Sequence, residues 1–195
     1  MSKTIQINGF TNAPLSWKSW LDIVDVQHAT PLQHQVLDSS HPQAKQQDYY
    51  RLLVHQPELL QQRSDAYNAI MYAPKGLARA DRELGAMVVS VLNGCPYCVS
   101  VHAQRFEQHS KRTDTIEQVF AEPRTAGVDA REQAISAFAT KLTEQPQHLT
   151  ARDIQALVDV GLDQAEILDL LNSAAIFAWA NRLMLNLGEP EPLKA

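Results

Sequence analysis

An all-helical fold in one domain is predicted for this chain on three observations. Glycine is sparse, with 7 among 195 residues. No stretch sustains the apolar–polar alternation of a half-buried strand. Apolar residues recur instead at helical spacing, between recognisable start and stop signals.

The elements follow in order. The run Thr4–Ile7 is the one weak strand-like stretch. A short helix is expected near Ser16–Val26, with Trp17, Trp20, Leu21 and Val24 as anchors, followed by irregular chain. Residues 1–50 read as an arm packing on the body, and 51–195 as the helical domain. Asp48 to His55 suits a short helix. Pro57 suits the first turn of the next, which runs to about Tyr72 with Leu60, Tyr67, Ile70 and Met71 inward. Ala73-Pro74-Lys75-Gly76 breaks it. The next helix starts near Ala80 and turns Leu84, Met87, Val88, Val91 and Leu92 to one side. Asn93-Gly94 stops it, and Pro96 opens the following one. After a polar stretch and a turn at Glu122-Pro123, Asp129 opens a helix carrying Ile135, Phe138, Ala139 and Leu142. Thr150 with Asp153, and Asp163 with Glu166, are capping pairs for the last two helices, the second stopping at Gly188. That last helix is Ala-rich and broadly apolar, as a core helix or a subunit interface requires.

Composition bounds the function. With 17 Lys+Arg against 22 Asp+Glu the net charge is −5, and no basic run exceeds Lys111-Arg112, which argues against nucleic acid. No run approaches the ~18 apolar residues of a membrane span. Met1 to Trp20 carries no charged patch followed by an apolar run, so no signal peptide is read there, and a reducing cytoplasmic setting is expected. The only two cysteines, Cys95 and Cys98, are too few and too close for a secreted disulfide framework.

The informative segment runs from Glu83 to His102. Cys95 and Cys98 stand three apart, Cys98 and His102 four apart, so all three share a helix face. Cys95 sits at the helix start, where free N–H groups and the macrodipole favour a thiolate. His102 favours Cys98 instead. Glu83, on the preceding helix of a hairpin, lies ~15 Å from the turn against ~10 Å for His102, so a tilt or one bridging water is expected to join them. A carboxylate holding a His beside a Cys is the logic of an activated nucleophile.

This segment resembles the AhpD-like alkylhydroperoxidase and carboxymuconolactone decarboxylase superfamily. Glu83, twelve on to Cys95-x-x-Cys98 and four on to His102, is similar to the AhpD peroxidase motif. Asn93-Gly94-Cys95-Pro96-Tyr97-Cys98 is closer to the peroxidase-related branch. A looser likeness runs from Pro57 to Gly188 and includes Arg82-Glu83-Leu84 and Asn181-Arg182. The resemblance implies an oligomeric helical fold with the Cys pair at the start of a central helix. It implies reduction of an alkyl hydroperoxide or hydrogen peroxide through a dithiol–disulfide cycle. Cys98 would attack, Cys95 would resolve, and His102 with Glu83 would relay protons. No cofactor or metal is implied; an external lipoyl or thioredoxin-like reductant is. Tyr97 stands where AhpD itself has a His, and the decarboxylase branch lacks the cysteine pair.

Other readings use the same residues. The pair could pass oxidation to a protein partner as a dithiol–disulfide oxidoreductase or redox sensor. It could be inert in a helical interaction module. Cys95, Cys98, His102 and Glu83 could ligate zinc, though no second ligand pair follows. Covalent haem needs a His after the second Cys, and Val99 stands there. The remaining histidines, His41 and His109 among them, are expected at the surface. Phe138, Phe177 and Trp179 are expected in the core, and Asn181 on an apolar stripe where it must find hydrogen-bond partners.

Overall fold

The computed structural model describes residues 3–193. Those residues form nine α-helices and two short antiparallel strand pairs. The first pair joins β1 (Gln6–Ile7) to β2 (Phe10–Thr11), with Ile7 opposite Phe10. Asn8 and Gly9 turn the chain with φ of 52° and 83°. Asn-Gly is the pair that tolerates two such angles in a tight hairpin.

The second pair joins the two ends of the chain. β3 (Leu15–Ser19) lies against β4 (Gly188–Pro192), Trp17 opposite Pro190. This replaces the helix expected near Ser16–Val26. The backbone there finds its hydrogen bonds on a segment at the far end of the chain, which local patterning does not register. Trp17 is buried and its indole Nε1 donates to the Met184 carbonyl at 3.0 Å. Trp20 and Leu21, expected as anchors, are exposed, while Val24 packs partly buried against the same cluster as Trp17. Gly188 is required by close approach: a Cβ there would come within 2.2 Å of both the Lys18 carbonyl and the Trp17 ring.

The chain expected to be irregular holds α1 (Pro31–Ser40). Thr30 and Gln33 bond each other's backbone N–H in a complete capping box, with Pro31 at the first turn. Then come α2 (Asp48–Leu53), α3 (Pro57–Met71), α4 (Arg79–Leu92) and α5 (Pro96–Ser110). The polar stretch after α5 folds into α6 (Asp114–Ala121), whose Ile116, Val119 and Phe120 are buried. The rest is α7 (Ala130–Glu144), α8 (Ala151–Asp159) and α9 (Gln164–Leu187). Asp129 caps α7, and the predicted capping boxes at Thr150 and Asp163 are both present.

The centre of the fold is α4. Every residue from Asp81 to Val91 is buried, because α5, α7 and α9 pack around it. Burying a charged side chain there demands partners. Arg82 finds the carbonyls of Ile70, Ala73 and Lys75 and the Asp169 carboxylate at 2.8 Å. It thereby fastens the α3–α4 loop to α9. A second, smaller apolar cluster lies beside this core. It gathers Trp17, Leu37, Tyr49, Leu60 and Met184 around Cys95 and Cys98. Its members come largely from the first sixty residues, so the N-terminal segment packs directly over the cysteine helix. Among the described residues no helix is long and apolar enough to cross a membrane.

Candidate active site

The turn from α4 into α5 sets the cysteines. Asn93 ends α4, and Gly94, at φ 69°, reverses the chain. Cys95 is then the cap residue of α5, its N–H held by the Ser90 carbonyl at 2.9 Å, and Pro96 occupies the first turn. Both thiols are reduced and buried, with Cys95 1% and Cys98 5% exposed.

The two thiols lie side by side at the start of α5, and their interaction favours the thiolate at Cys95 over the one at Cys98. That interaction lowers the acidity threshold of Cys95 below that of a free thiol. Burial opposes the shift, but the backbone N–H groups of Cys98 and Tyr97 and the Asn181 amide outweigh it. This is the ordinary effect of a helix start on a thiolate. The same interaction, burial and the adjacent Cys95 charge together push Cys98 well above a free thiol, with Asn181 and Arg63 pulling weakly the other way. Acidity therefore favours Cys95. Access favours Cys98, which lines a cavity of about 230 Å³ that Cys95 does not reach.

Glu83 and His102 meet without a bridging water. His102 Nδ1 lies 2.5 Å from Glu83 Oε2, with both side chains at most 1% exposed. Of the two expected routes, a tilt or a bridging water, the direct contact is the former: close packing of α4 and α5 closes the gap that the residue count along the helices leaves. Arg79 Nε donates to the other carboxylate oxygen at 2.6 Å. Burial pushes the Glu83 carboxyl up, but the His102 charge and hydrogen bond, with Arg79 and Arg105, more than offset it. The carboxyl stays below its usual range. An ionised Glu83 only accepts, so Nδ1 carries the proton and Nε2 is left as the nitrogen that can exchange one. His102 shares the cavity wall with Cys98.

Phe177, expected in the core, stands edge-on to the His102 ring at 4.0 Å between centroids and lines the cavity. Trp179 is 38% exposed instead of buried, being on the opposite side of α9. His41, expected at the surface, lines the cavity, because the segment after α1 folds across its mouth. His109 is exposed and does not line it. Arg182 donates to the Ala178 carbonyl of its own helix.

Sequence reasoning missed most of the cavity wall. Tyr49, Tyr50, Arg63, Tyr67 and Arg105 come from α2, α3 and α5. No motif marks them; the one available signal is an Arg at position 63 on the same side of α3 as Leu60 and Tyr67. Burial pushes the hydroxyls of Tyr49 and Tyr97 up to about 12, so both remain neutral donors near neutral pH. Tyr97 thus offers a hydrogen bond but no ready proton. Among the described residues no group of three or more His, Cys, Asp or Glu side chains is placed to hold a metal ion.

Asn181 is fully buried and ties α9 to the cysteine turn. Its Oδ1 accepts from Asn93 Nδ2 at 3.0 Å, and its Nδ2 donates to Ser90 Oγ at 3.1 Å. It thereby positions the turn that carries the thiol pair, and its amide favours the thiolate form of both cysteines. Replacing Asn181 by Leu is expected to raise the pH at which Cys95 ionises. The pH dependence of iodoacetamide labelling at Cys95 reads this directly; an unmoved curve means that the amide does not tune the thiol.

Residues 57–141, which include Glu83, both cysteines and His102, match the carboxymuconolactone decarboxylase family. No curated protein matches the sequence. The fold is similar to an alkylhydroperoxidase AhpD core, an uncharacterized peroxidase-related protein from Ralstonia eutropha. The identity is 22%, over 87% of this chain and 90% of that one, with a TM-score of 0.75. A peroxidase-related protein from a Silicibacter species is 24% identical over 88% and 92%, with a TM-score of 0.73. The debrominase Bmp8 is 20% identical over 85% and 88%, with a TM-score of 0.67. The match to the carboxymuconolactone decarboxylase family spans the cysteine hairpin, and the fold around it is similar to that of the AhpD core and peroxidase-related structures.

Proposed function

We propose that the chain is a thiol peroxidase that reduces a small organic hydroperoxide, or hydrogen peroxide, through Cys98 and Cys95. The observation that carries this is the division of labour between the sulfurs. Cys98 faces the cavity, and Cys95 lies beside it, already biased toward thiolate. A substrate in the cavity meets Cys98 first, and reacting atoms must approach to ~3–3.5 Å.

The pair holds one negative charge that shifts to Cys98 when the shared proton crosses to Cys95. Cys98 attacks the terminal oxygen of the hydroperoxide. An S–O bond forms, the O–O bond breaks, and the departing alkoxide becomes the alcohol by taking the proton that His102 Nε2 has drawn from solvent. Cys95 then gives its proton to His102 and attacks the Cys98 sulfur. The disulfide forms and hydroxide leaves, taking up a proton as water. One proton is drawn from solvent over the cycle. Glu83 keeps the His102 ring in the tautomer that allows both transfers.

Regeneration needs an external dithiol. Both sulfurs are recessed, so a lipoyl arm entering the cavity fits better than a thioredoxin-like surface. The same recess favours a small oxidant over a protein partner as first substrate. A homo-oligomer in the cytoplasm completes the reading, with the exposed apolar residues Leu168 and Trp179 of α9 as one surface for subunit contact.

The test is intact mass after one equivalent of cumene hydroperoxide on reduced protein. Prompt loss of two hydrogens, with the peroxide recovered as alcohol, is expected. Unchanged mass with the peroxide persisting overturns the reading.

A further inference from the structure

The wall of the cavity before Cys98 has an unusual charge. The chain is acidic, with 22 Asp+Glu, yet none of them lines this cavity, whereas two arginines do. Arg63 is 92% buried, at 8% exposure, and has no salt-bridge partner among the described residues. Its Nε has no hydrogen-bond partner. What surrounds the guanidinium is aromatic: it lies 4.5 Å from the Tyr67 ring centroid, 5.6 Å from Tyr49 and 5.8 Å from Tyr50. Buried charges are normally paired, because desolvation costs several kcal/mol per ion. Cation–π contact offsets only part of that. Arg105 donates to the Tyr72 hydroxyl at 2.6 Å and likewise has no carboxylate partner among the described residues. Glu83, the buried carboxylate of the site, is held by Arg79 and His102. Burial and then the charges of Arg105 and Arg63 keep His41 from protonating readily, so all three groups feel one positive region.

The lining also includes apolar side chains. These are Val101, Phe177, Ala180 and Met184. The volume of about 230 Å³ is below the ~300–1,000 Å³ of drug-sized sites. The cavity therefore suits a small amphiphile with an anionic end and a hydrocarbon body. Arginine's planar fork matches a carboxylate in two parallel hydrogen bonds.

We propose that the hydroperoxide accepted here carries a carboxylate, which Arg63 and Arg105 bind while its hydrocarbon part lies toward Phe177 and Met184 and presents the peroxide to Cys98. This rests on the peroxidase reading for the reaction, but the binding preference is tested apart from it.

Iodoacetate and iodoacetamide deliver the same group to sulfur and differ in charge. For a neutral model thiol such as N-acetylcysteinamide the anionic reagent is the slower, since a thiolate repels it. The ratio of the two rates cancels the thiolate fraction. In the native protein the iodoacetate/iodoacetamide ratio at the cysteine pair is expected to exceed the model thiol's by about tenfold or more. Arg63→Gln and Arg105→Gln should each move it back toward the model value. A wild-type ratio equal to the model thiol's overturns the proposal, and that measurement needs no variant to fold. A second arm compares disulfide formation by a carboxylate-bearing aryl hydroperoxide and by its methyl ester. The acid is expected to react at least about tenfold faster at low concentration. Equal rates overturn the substrate assignment. If neither peroxide is reduced while the alkylation ratio stays high, it is the peroxidase reading that falls.

Discussion

Cys98→Ser should stop the reaction at its first step, with hydroperoxide consumption down by at least about a thousandfold, as for removal of other catalytic nucleophiles. The companion variant separates the two sulfurs. In Cys95→Ser, Cys98 can still attack but nothing resolves it. One equivalent of hydroperoxide should therefore add one oxygen to Cys98 and go no further, leaving a sulfenic acid that a carbon nucleophile can trap. Mass mapping of the peptide carrying both positions reads the outcome. The sharp alternative is that Cys98→Ser gains the oxygen at Cys95. That would mean acidity outweighs access, and the assigned roles would be exchanged. Access is expected to win. A proton moves between the two neighbouring sulfurs at small cost, whereas a hydroperoxide cannot reach Cys95, which is 1% exposed and absent from the cavity wall.

Glu83→Gln is expected to have the second largest effect, on rate and stability together. The amide can donate to His102 Nδ1, which moves the ring proton to Nε2 and removes the acceptor that the cycle needs. A loss of about 10²–10⁴-fold in the rate of disulfide formation is expected. The substitution also leaves Arg79 without a counter-charge in the core. Breaking a buried pair costs roughly 3–5 kcal/mol. Because the Arg79 side chain retains 17% exposure, the lower end applies. For a chain of this size that lowers the melting temperature by roughly 6–12 °C.

The pH dependence fixes the sign. The folded-state carboxyl of Glu83 lies below its ordinary value of 4.5, so its contribution is fully present above that pH. It is lost as the pH falls through the folded value. Melting temperatures of wild type and Glu83→Gln should thus differ most above 4.5 and converge below it. A constant gap across that range, or an unchanged rate, would show that Glu83 is not the ionised partner of His102.

Much of the helical framework was legible in the sequence because helix ends carry local chemistry. Pro57, Asn93-Gly94, Pro96, Asp129, Thr150 and Asp163 lie at or next to the ends of the elements they predict, each for a reason that operates within four residues. The capping box at Thr30 and Gln33 obeys the same chemistry and was passed over amid the Pro and Gln of that region. The strand at Leu15–Ser19 is different. Its partner lies after α9, and no local signal encodes a pairing across the whole chain.

The site divides along the same line. Spacing alone put Cys95, Cys98 and His102 on one helix face and named Glu83 as their carboxylate, because a helix repeats within the reach of a few residues. Only tertiary packing decided that Glu83 touches His102 directly, that Asn181 arrives from α9 to bond Asn93 and Ser90 at the cysteine turn, and that Cys98 rather than Cys95 meets the cavity. The arginine-and-tyrosine wall was likewise beyond the sequence, since Tyr49, Arg63 and Arg105 belong to three separate helices. Helix periodicity and capping are short-range and can be read from neighbours along the chain. Which side chains face one another across a cavity depends on how whole helices dock, and that is set by the burial of many residues at once.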